Sequence, residues 1–469
     1  MARDRTYFGE PDASVAVGED LAAQHVLRDI ERDLRWNMRT SGTQVVVGVK
    51  GSGKTELRRY LESCSSAFTF NLDGEKSYFS QDVSSVPRQS SRIRNAVAAV
   101  LLREFARQFG ESSTSRAAQA LKIAFKASTT LLKNIPGAID LQAPGVRVRV
   151  GDLIKSASDS TSSAVLQDAV DELVTMVVDA LSKNDTSGAI LIDDVEEVFL
   201  GIEKNPLFLE GIVKAVAEIN RRGLGKIHAL LFVKHGLWRV WFEDHKDYDK
   251  VDSLIDFLAW DHQALVELIT KRIAHQHGME RESRSIEDLW GAEFSWNGEL
   301  DNITRYCTRY CVSGPRDMIR LCNLAGVNAG DELITQANIE AILGRYSEQK
   351  IFGLQADFGD TYPGISRFVV QVFQGAPAQM ATGMDVAKLI NLRTFLDLRF
   401  NDQFKEQQWY NVATKEELAA VMYQVGVIGF ESPHGPIYAI EEPNLSNAEF
   451  LGKKGVCIHP AFHPYLGIN

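Results

Sequence analysis

The chain has 469 residues, 45% of them hydrophobic, which is enough for about three domains with apolar cores. A formal net charge of -11 disfavours a protein whose whole surface binds nucleic acid, and leaves only a local basic face open. Five cysteines are few and odd in number, which argues against a disulfide framework and favours a reducing, cytoplasmic setting. The sequence shows no signal-peptide pattern and no uncharged apolar run long enough to cross a bilayer, so we expect a soluble protein.

The first predicted elements are a long amphipathic helix over about 18–40 and a buried strand over 44–47. Apolar residues recur along one face of the helix, which we expect to pack against the domain that follows. The strand reads QVVV and leads directly into a glycine-rich stretch, GVKGSGKT, over residues 48–55. The order strand, loop and helix is the one that a phosphate-binding loop requires.

The glycine-rich stretch is a full match to the pattern G-x-x-x-x-G-K-[ST]. Glycines let backbone N–H groups turn towards phosphate oxygens, Lys54 brings a positive charge, and the Thr55 hydroxyl can bind Mg²⁺. Lys50 occupies a variable position, and we interpret it as a charge at the rim of the phosphate site. The predicted nucleotide-binding residues are Gly48, Val49, Lys50, Gly51, Ser52, Gly53, Lys54, Thr55 and Glu56.

A second strand is predicted over 68–72, and the regular pattern is then interrupted between about 77 and 187. This region contains serine-rich stretches, helices such as 93–109, and a hairpin over 138–150 with a Pro-Gly turn on each side of its first strand. We interpret it as an insertion. A satellite subdomain is the favoured interpretation, and a partner-binding appendage is the alternative.

The run Gly188–Ile192 predicts another buried strand, and it ends in two carboxylates, Asp193 and Asp194. A carboxylate at the end of a sheet strand can hold magnesium through water, which is the role predicted for Asp193. Asp194 is then placed to orient an attacking water, with Glu197 as a substitute. A solvated acidic start of a helix is the alternative interpretation of these residues.

Further strands are predicted over 227–233 and 253–259. Continuous apolar strands that alternate with helices indicate a parallel sheet covered on both faces. The strand over 227–233 is followed by Lys234, which can stabilise phosphate charge or can be an ordinary lysine at a strand end. From 261 to about 345 the pattern becomes helical, and the cysteines at 307, 311 and 322 are interpreted as buried helix residues without a metal.

Together, the glycine loop and the acidic strand resemble those of P-loop ATPases of the AAA+ and STAND group. The stretch LAWDHQALVELITKRI over 258–273 is similar to the crossing from core to lid in origin-initiator-like ATPases, and SGPRDMIRL over 313–321 resembles the lid motif that presents a sensor arginine. The resemblance implies that Arg316 contacts a γ-phosphate. It also implies an arginine finger between subunits, for which Arg221, Arg222 and Arg239 are candidates, with surface arginines as the alternative.

The tail resembles a winged helix, with helices predicted over 365–373, 385–395 and 415–425, a wing over 426–440 and a further strand near 456–460. The third helix carries Glu416 and Glu417 beside the single Lys415, so protein binding is favoured over DNA binding. The motifs FGEPDA near the start, and VIGF and VCIHPAF near the end, resemble those of bacterial P-loop ATPases that lie beside effector genes in phage-defence loci.

The predicted fold class is α/β: a P-loop NTPase parallel sheet of AAA+/STAND type with a helical insertion, a helical lid and a carboxy-terminal winged-helix domain. The predicted domains are an amino-terminal helical segment (1–43), an ATPase core (44–260), a lid (261–350) and a winged-helix-like domain (351–469).

The predicted function is a cytoplasmic, regulatory ATPase that uses ATP and Mg²⁺ and gates its own oligomerisation or an effector protein, with no membrane as partner. Two alternatives stay open: a DNA-binding initiator or transposition-type ATPase, and a nucleotide-loaded scaffold with little hydrolysis.

Overall fold

The computed structural model describes residues 7–9, 26, 44–64, 67–71, 90–112, 114–133, 160–193, 195, 206–242, 254–359, 361–374, 409, 415–453 and 455–468. The chain forms two compact units. The first unit contains the described residues of Met1–Val26, Gly48–Glu56 and Phe257–Asn469. The second contains those of Leu27–Val47 and Leu57–Asp256. The predicted amino-terminal helix lies outside the described residues, apart from Val26.

A five-stranded parallel sheet forms the centre of the second unit, with the strand order β2-β3-β4-β1-β5. The strands are β1 (Val45–Gly48), β2 (Ala67–Asn71), β3 (Gly188–Asp193), β4 (Ile227–Lys234) and β5 (Ile255–Phe257). All residues of β1 and β3 are buried, which explains their continuous apolar sequences. The predicted parallel α/β sheet is confirmed, with each predicted strand present.

In the described part of the chain, six helices accompany this sheet: α1 (Lys54–Cys64), α2 (Ser90–Ser112), α3 (Arg116–Lys133), α4 (Ser160–Ser182), α5 (Pro206–Arg222) and α6 (His235–Phe242). In the second unit, α2 packs against α3, α4 and α5. Phe105 of α2 also packs edge-on against Phe68 of β2, with 5.7 Å between the ring centroids.

The helices of the predicted insertion therefore belong to the same unit as the sheet. Helix α2 contacts β2 and α5, and α3 and α4 pack against α2 and against each other. The predicted hairpin at 138–150 lies outside the described residues.

The first unit is mainly helical and ends in a small sheet. Its helices are α7 (His262–Gln276), α8 (Ile286–Gly291), α9 (Leu300–Thr308), α10 (Pro315–Ala329), α11 (Gln336–Phe358), α12 (Ile365–Phe373), α13 (Lys415–Gln424), α14 (Asn447–Leu451) and α15 (His463–Leu466). The strands β6 (Ile428–Ser432), β7 (Gly435–Ile437) and β8 (Val456–Ile458) pair antiparallel in the order β7-β6-β8. The helical lid and the terminal hairpin appear where they were predicted, and the predicted helix at 385–395 lies outside the described residues.

One hydrophobic core runs through the whole first unit. It includes Ile269 of α7, Met318 of α10, Phe368 of α12 and Ile458 of β8. The predicted border between lid and tail, at residue 350, falls inside α11, which continues without a break to Phe358. The lid and the tail therefore form one unit rather than two.

Cys307, Cys311 and Cys322 are buried, as predicted, with Cys311 in the loop before α10 rather than in a helix. Burial raises the pKa of Cys307 to about 12 and raises the pKa of Cys311 and Cys322, so these thiols stay protonated. Within the described part of the chain, no group of three or more His, Cys, Asp or Glu side chains is arranged to hold a metal ion. None of the helices described combines the length and the apolar character needed to cross a membrane.

His459 follows β8 and is buried against the loop that precedes α10. Its Nε2–H donates to the carbonyl of Cys311 at 3.1 Å, and its Nδ1 accepts from the backbone N–H of Ala461 at 3.2 Å. Burial lowers the pKa of His459 from 6.5 to about 3, so the imidazole is neutral in the folded protein.

The neutral His459 predicts a pH dependence of stability. Between pH 6.5 and about 3, the unfolded chain binds a proton that the folded chain excludes, so the free energy of unfolding falls as the pH is lowered through this window. The single group contributes a slope of at most about 1.4 kcal/mol per pH unit. His459→Gln, which keeps a donor and an acceptor, should flatten the slope between pH 6.5 and 5 in thermal denaturation. His434→Gln, in the exposed hairpin turn, is the control, and an equal slope in all three proteins would contradict the prediction.

Gly211 of α5 predicts a test of how α2 packs. A Cβ at Gly211 would lie 2.3 Å from Cγ2 and 2.5 Å from Cβ of Ile93, so Gly211→Ala should destabilise the second unit by about 1–3 kcal/mol. Gly344 of α11 has open space around it, and Gly344→Ala should instead stabilise by about 0.5–1 kcal/mol. Denaturant unfolding of the two variants measures both values. Equal effects of the two substitutions would mean that α2 does not pack closely on α5.

Candidate functional site

The glycine loop between β1 and α1 depends on conformations that favour glycine. Gly51 and Gly53 both have φ of 92°, in the left-handed region. A Cβ at Gly48 would lie 2.3 Å from Oγ of Ser52, so a side chain there would have to displace the Ser52 hydroxyl. The backbone N–H of Ser52 closes a turn onto the carbonyl of Val49 at 3.2 Å. These features fix a tight loop directly before a helix.

The side chain of Lys54 folds back across this loop. Lys54 is the first residue of α1 and is 9% exposed, and its Nζ donates to the carbonyls of Gly48 at 2.7 Å and Val49 at 3.1 Å. A buried ammonium needs negative partners, because burying an unpaired charge is costly. The two carbonyls supply partial negative charge, and an anion in the loop would supply more.

Ser52 adds a second sign that the loop is built for a ligand. Its side chain is fully buried, and its Oγ has no hydrogen-bond partner among the described residues. Buried hydroxyl groups are normally paired, so an unpaired one marks a place for a missing partner. An unpaired hydroxyl beside a buried ammonium and a glycine turn fits a phosphate group.

Thr55 and Glu56 occupy the first turn of α1. Thr55 is half-buried, and its hydroxyl has the oxygen chemistry that Mg²⁺ prefers. Glu56 is buried, and its negative charge acts on Arg272 of α7. Burial lowers the pKa of Arg272, and Glu56 partly offsets that effect.

Arg272 also holds the amino-terminal residues Phe8 and Gly9. Its guanidinium donates to the carbonyl of Phe8 at 2.8 Å, while Asn323 of α10 accepts from the Phe8 N–H at 2.8 Å and donates to the Gly9 carbonyl at 3.1 Å. The phenyl ring of Phe8 lies 5.8 Å from that of Phe294. The start of the FGEPDA motif is therefore anchored on the lid helices, a role that its sequence did not reveal.

Arg316 lies against the glycine loop. It is the second residue of α10, and its Cβ and Cδ are 3.3 and 3.6 Å from the point where a Cβ of Gly51 would stand. The side chain is half-buried, and in the described part of the chain it has no ion pair and no hydrogen bond. The structure thus brings the predicted sensor arginine to the predicted loop, while its role towards a γ-phosphate stays a prediction.

A buried carboxylate fixes the backbone that carries Arg316. Asp317 Oδ2 accepts from the backbone N–H groups of Val312 at 3.0 Å and Ser313 at 2.7 Å, and Oδ1 accepts from Nζ of Lys350 in α11 at 2.5 Å. Burial alone would raise the pKa of Asp317, but the Lys350 ammonium and the two amides hold it below its ordinary value.

Lys50 contacts the last turn of α11. Its Nζ forms an ion pair with Asp357 at 3.1 Å and donates to the carbonyl of Ala356 at 3.1 Å. Both partners belong to the last turn of α11, so Lys50 ties the glycine loop to that helix. The role of Lys50 as a charge at the rim of the phosphate site stays a prediction.

Asp193 is the last residue of β3 and is buried. Its Oδ2 accepts from Nε of Arg58 at 3.0 Å, and Arg58 also donates to Glu62 at 3.1 Å and Thr69 at 3.0 Å. The carboxylate has the chemistry of a magnesium ligand, and its role as one stays a prediction. Arg58 was missed by the sequence analysis. Its spacing of four residues from Lys54 and from Glu62 was the available signal.

Lys234 ends β4 and is half-buried. Because β3 and β4 are neighbouring parallel strands, Asp193 and Lys234 lie at the same edge of the sheet. Asp194 and Glu197, predicted to prepare water, lie outside the described residues.

The predicted arginine fingers have partners within the second unit. Arg221 pairs with Glu218 at 2.7 Å, and Arg222 pairs with Asp171 and with Glu218. The side chain of Arg239 lies outside the described residues. The roles of Arg221 and Arg222 as arginine fingers between subunits stay a prediction.

A strand, a G-x-x-x-x-G-K-[ST] loop and a helix on a parallel sheet define a P-loop NTPase fold. Residues 263–355, from α7 to most of α11, match the family model of the FunZ-associated C-terminal helical domain. No curated protein matches the chain.

Two solved structures are weakly similar to the chain. One is the Walker-type ATPase paby2304 of Pyrococcus abyssi, with 10% identity over 92% of this chain and 97% of that chain, at a TM-score of 0.39. The other is the ORC2 protein of Aeropyrum pernix in ADPNP–ADP complexes, with 13% identity over 96% of each chain, also at a TM-score of 0.39.

The contact between Arg58 and Asp193 predicts a coupled pair. Arg58→Met leaves a buried carboxylate without its cation and should lower the free energy of unfolding by about 1–3 kcal/mol. Asp193→Asn removes the charge, so the double variant should lose less than the sum of the single losses. Denaturant unfolding of the four proteins gives the coupling energy. A coupling energy near zero would show that the contact between Arg58 and Asp193 does not stabilise the folded protein.

Proposed function

We propose that the chain is a regulatory ATPase of AAA+/STAND type that binds and hydrolyses ATP with Mg²⁺. The observation that carries the proposal is the glycine loop, in which the buried Lys54 ammonium and the unpaired Ser52 hydroxyl lie within one turn of backbone. Arg316 beside Gly51 adds a second positive side chain at the same loop. Few ligands other than a polyphosphate match this combination of charge and shape.

Most of the predicted site residues have a specific role in this proposal. Backbone N–H groups of the loop and Lys54 bind the phosphates, and Arg316 contacts the γ-phosphate. Thr55 and Asp193 would hold Mg²⁺, which would neutralise phosphate charge when bound. Asp194, with Glu197 as substitute, orients the water, and Lys234 stabilises phosphate charge at the sheet edge.

The proposed output is control of oligomerisation or of an effector protein, in antiviral defence. The match of the lid to a FunZ-associated helical domain supports a function together with a partner protein. The shared core of lid and tail supports the same view, because a nucleotide-dependent change at Arg316 would reach the tail through packed residues.

DNA binding is the less favoured alternative. In the predicted winged helix, the third helix would have to enter a groove, yet the residues of α13 from Leu418 to Gln424 are buried. The exposed Glu417 at the start of that helix would repel phosphates.

Calorimetric titration of the full chain with Mg·ATP tests the proposal. Lys54→Met should weaken binding by about 10- to 100-fold, because a charge-assisted hydrogen bond contributes roughly 1.5–3 kcal/mol. Lys50→Met should change the affinity by less than about five-fold, because its partly exposed ion pair contributes at most about 1 kcal/mol. Lys214→Met, which removes a lysine paired with Glu210 on α5, is the control. An unchanged affinity of Lys54→Met for Mg·ATP would contradict the proposal.

A further inference from the structure

Trp260, which follows β5 and precedes α7, is bound to the glycine loop by its side chain. Its indole Nε1–H donates to the carbonyl of Ser52 at 2.8 Å, and the residue is 3% exposed. In a trans peptide the carbonyl and the next N–H point in opposite directions. With the Ser52 carbonyl held by Trp260, the N–H of Gly53 must point away from the indole. The tryptophan thus sets the orientation of one amide of the loop.

The ring of Trp260 also lies between two glycines. Its Cζ2 is 3.7 Å from the point where a Cβ of Gly53 would stand. Its Cδ1 and Cγ are 3.1 and 3.3 Å from the corresponding point at Gly314, the residue before α10. Gly314 has φ of 94°, so a side chain there would be strained as well as crowded. The indole therefore sets the spacing between the glycine loop and the turn that carries Arg316.

The backbone of Trp260 is bound to the carboxy-terminal part of the chain. Its N–H donates to the carbonyl of Ile440, just beyond β7, at 3.1 Å. The side chain of Ile440 also reaches Gly314, with Cδ1 3.1 Å from its Cβ position. One residue thus contacts the glycine loop, the Arg316 turn and the segment after the terminal hairpin.

We propose that Trp260 is a positioning residue for nucleotide binding: its indole holds the glycine loop in the phosphate-binding conformation and joins that loop to the Arg316 turn and to the segment at Ile440. The inference rests on the proposed function, since it concerns the same loop. It adds a residue outside the G-x-x-x-x-G-K-[ST] motif to the binding machinery, and a route by which the tail influences affinity.

The test compares Trp260→Phe with a matched control in calorimetric titrations of the full chain with Mg·AMP-PNP. Phenylalanine keeps an aromatic ring and removes the N–H, so the Ser52 carbonyl loses its donor and affinity should fall about three- to ten-fold. The control is Trp290→Phe in α8, which also removes a buried indole hydrogen bond, the one to Thr270 at 2.9 Å. The control should change affinity by less than about two-fold, even if both variants lower the thermal midpoint.

Two results would overturn the inference: equal affinity in wild type and Trp260→Phe, or an equal loss in both variants, which would mark a general effect of core damage. If the wild-type protein binds no nucleotide, the proposed function itself fails, and the two failures are thereby distinguished.

If Trp260→Phe does not fold, hydrogen exchange of the wild-type protein tests the role of Trp260 instead. Mg·AMP-PNP should slow exchange in peptides covering 259–261 and 438–441, and should leave those covering 289–291 unchanged. No slowing at 259–261 would overturn the inference.

Discussion

The buried carboxylate of Asp317 is the constraint on which the first unit depends. It is 1% exposed, and an isolated charge at such a position would cost several kcal/mol. The backbone can therefore adopt only an arrangement in which Val312, Ser313 and Lys350 all reach this one side chain. Arg316 is the neighbouring residue. The position of Arg316 at the glycine loop thus follows from the hydrogen bonds and the ion pair that the Asp317 carboxylate forms.

Other contacts converge on the same turn. The hydroxyl of Tyr346 in α11 donates to the carbonyl of Tyr310 at 2.9 Å, and His459 donates to the carbonyl of Cys311. Helix α11 therefore holds the turn through Tyr346 and Lys350, and it holds the glycine loop through Asp357. A helix that binds both parts of a candidate phosphate site is well placed to transmit a change from one to the other.

The sequence predicted those parts of the fold that depend on local pattern. Continuous apolar runs such as 229–233 predicted buried strands, and Gly51 and Gly53 predicted the turn of the loop. Strand burial and positive φ each leave a signature over a few residues. The course of the helix at residue 350 also follows local pattern: no proline or cap separates Lys350 from Ile351, and the helix continues to Phe358.

Long-range side-chain partners could not be predicted. Nothing near Lys50 indicates Asp357, and nothing near Ser52 indicates Trp260, because these pairs form only when distant elements meet. The serine-rich stretches suggested an insertion, and apolar residues of α2 such as Ile93 and Phe105 are buried with the sheet and α5. The serine-rich composition belongs to the segments that connect the helices. The apolar residues of the helices themselves form the core.

The glycine loop is the proposed binding site for the phosphates of a nucleoside triphosphate. A crystal structure of the full chain with Mg·AMP-PNP tests it most directly. We predict triphosphate density inside the loop, with Nζ of Lys54 moved from the carbonyls of Gly48 and Val49 onto a phosphate oxygen and the hydroxyl of Ser52 facing the ligand. Nucleotide bound elsewhere, with Lys54 still on the two carbonyls, would contradict the claim.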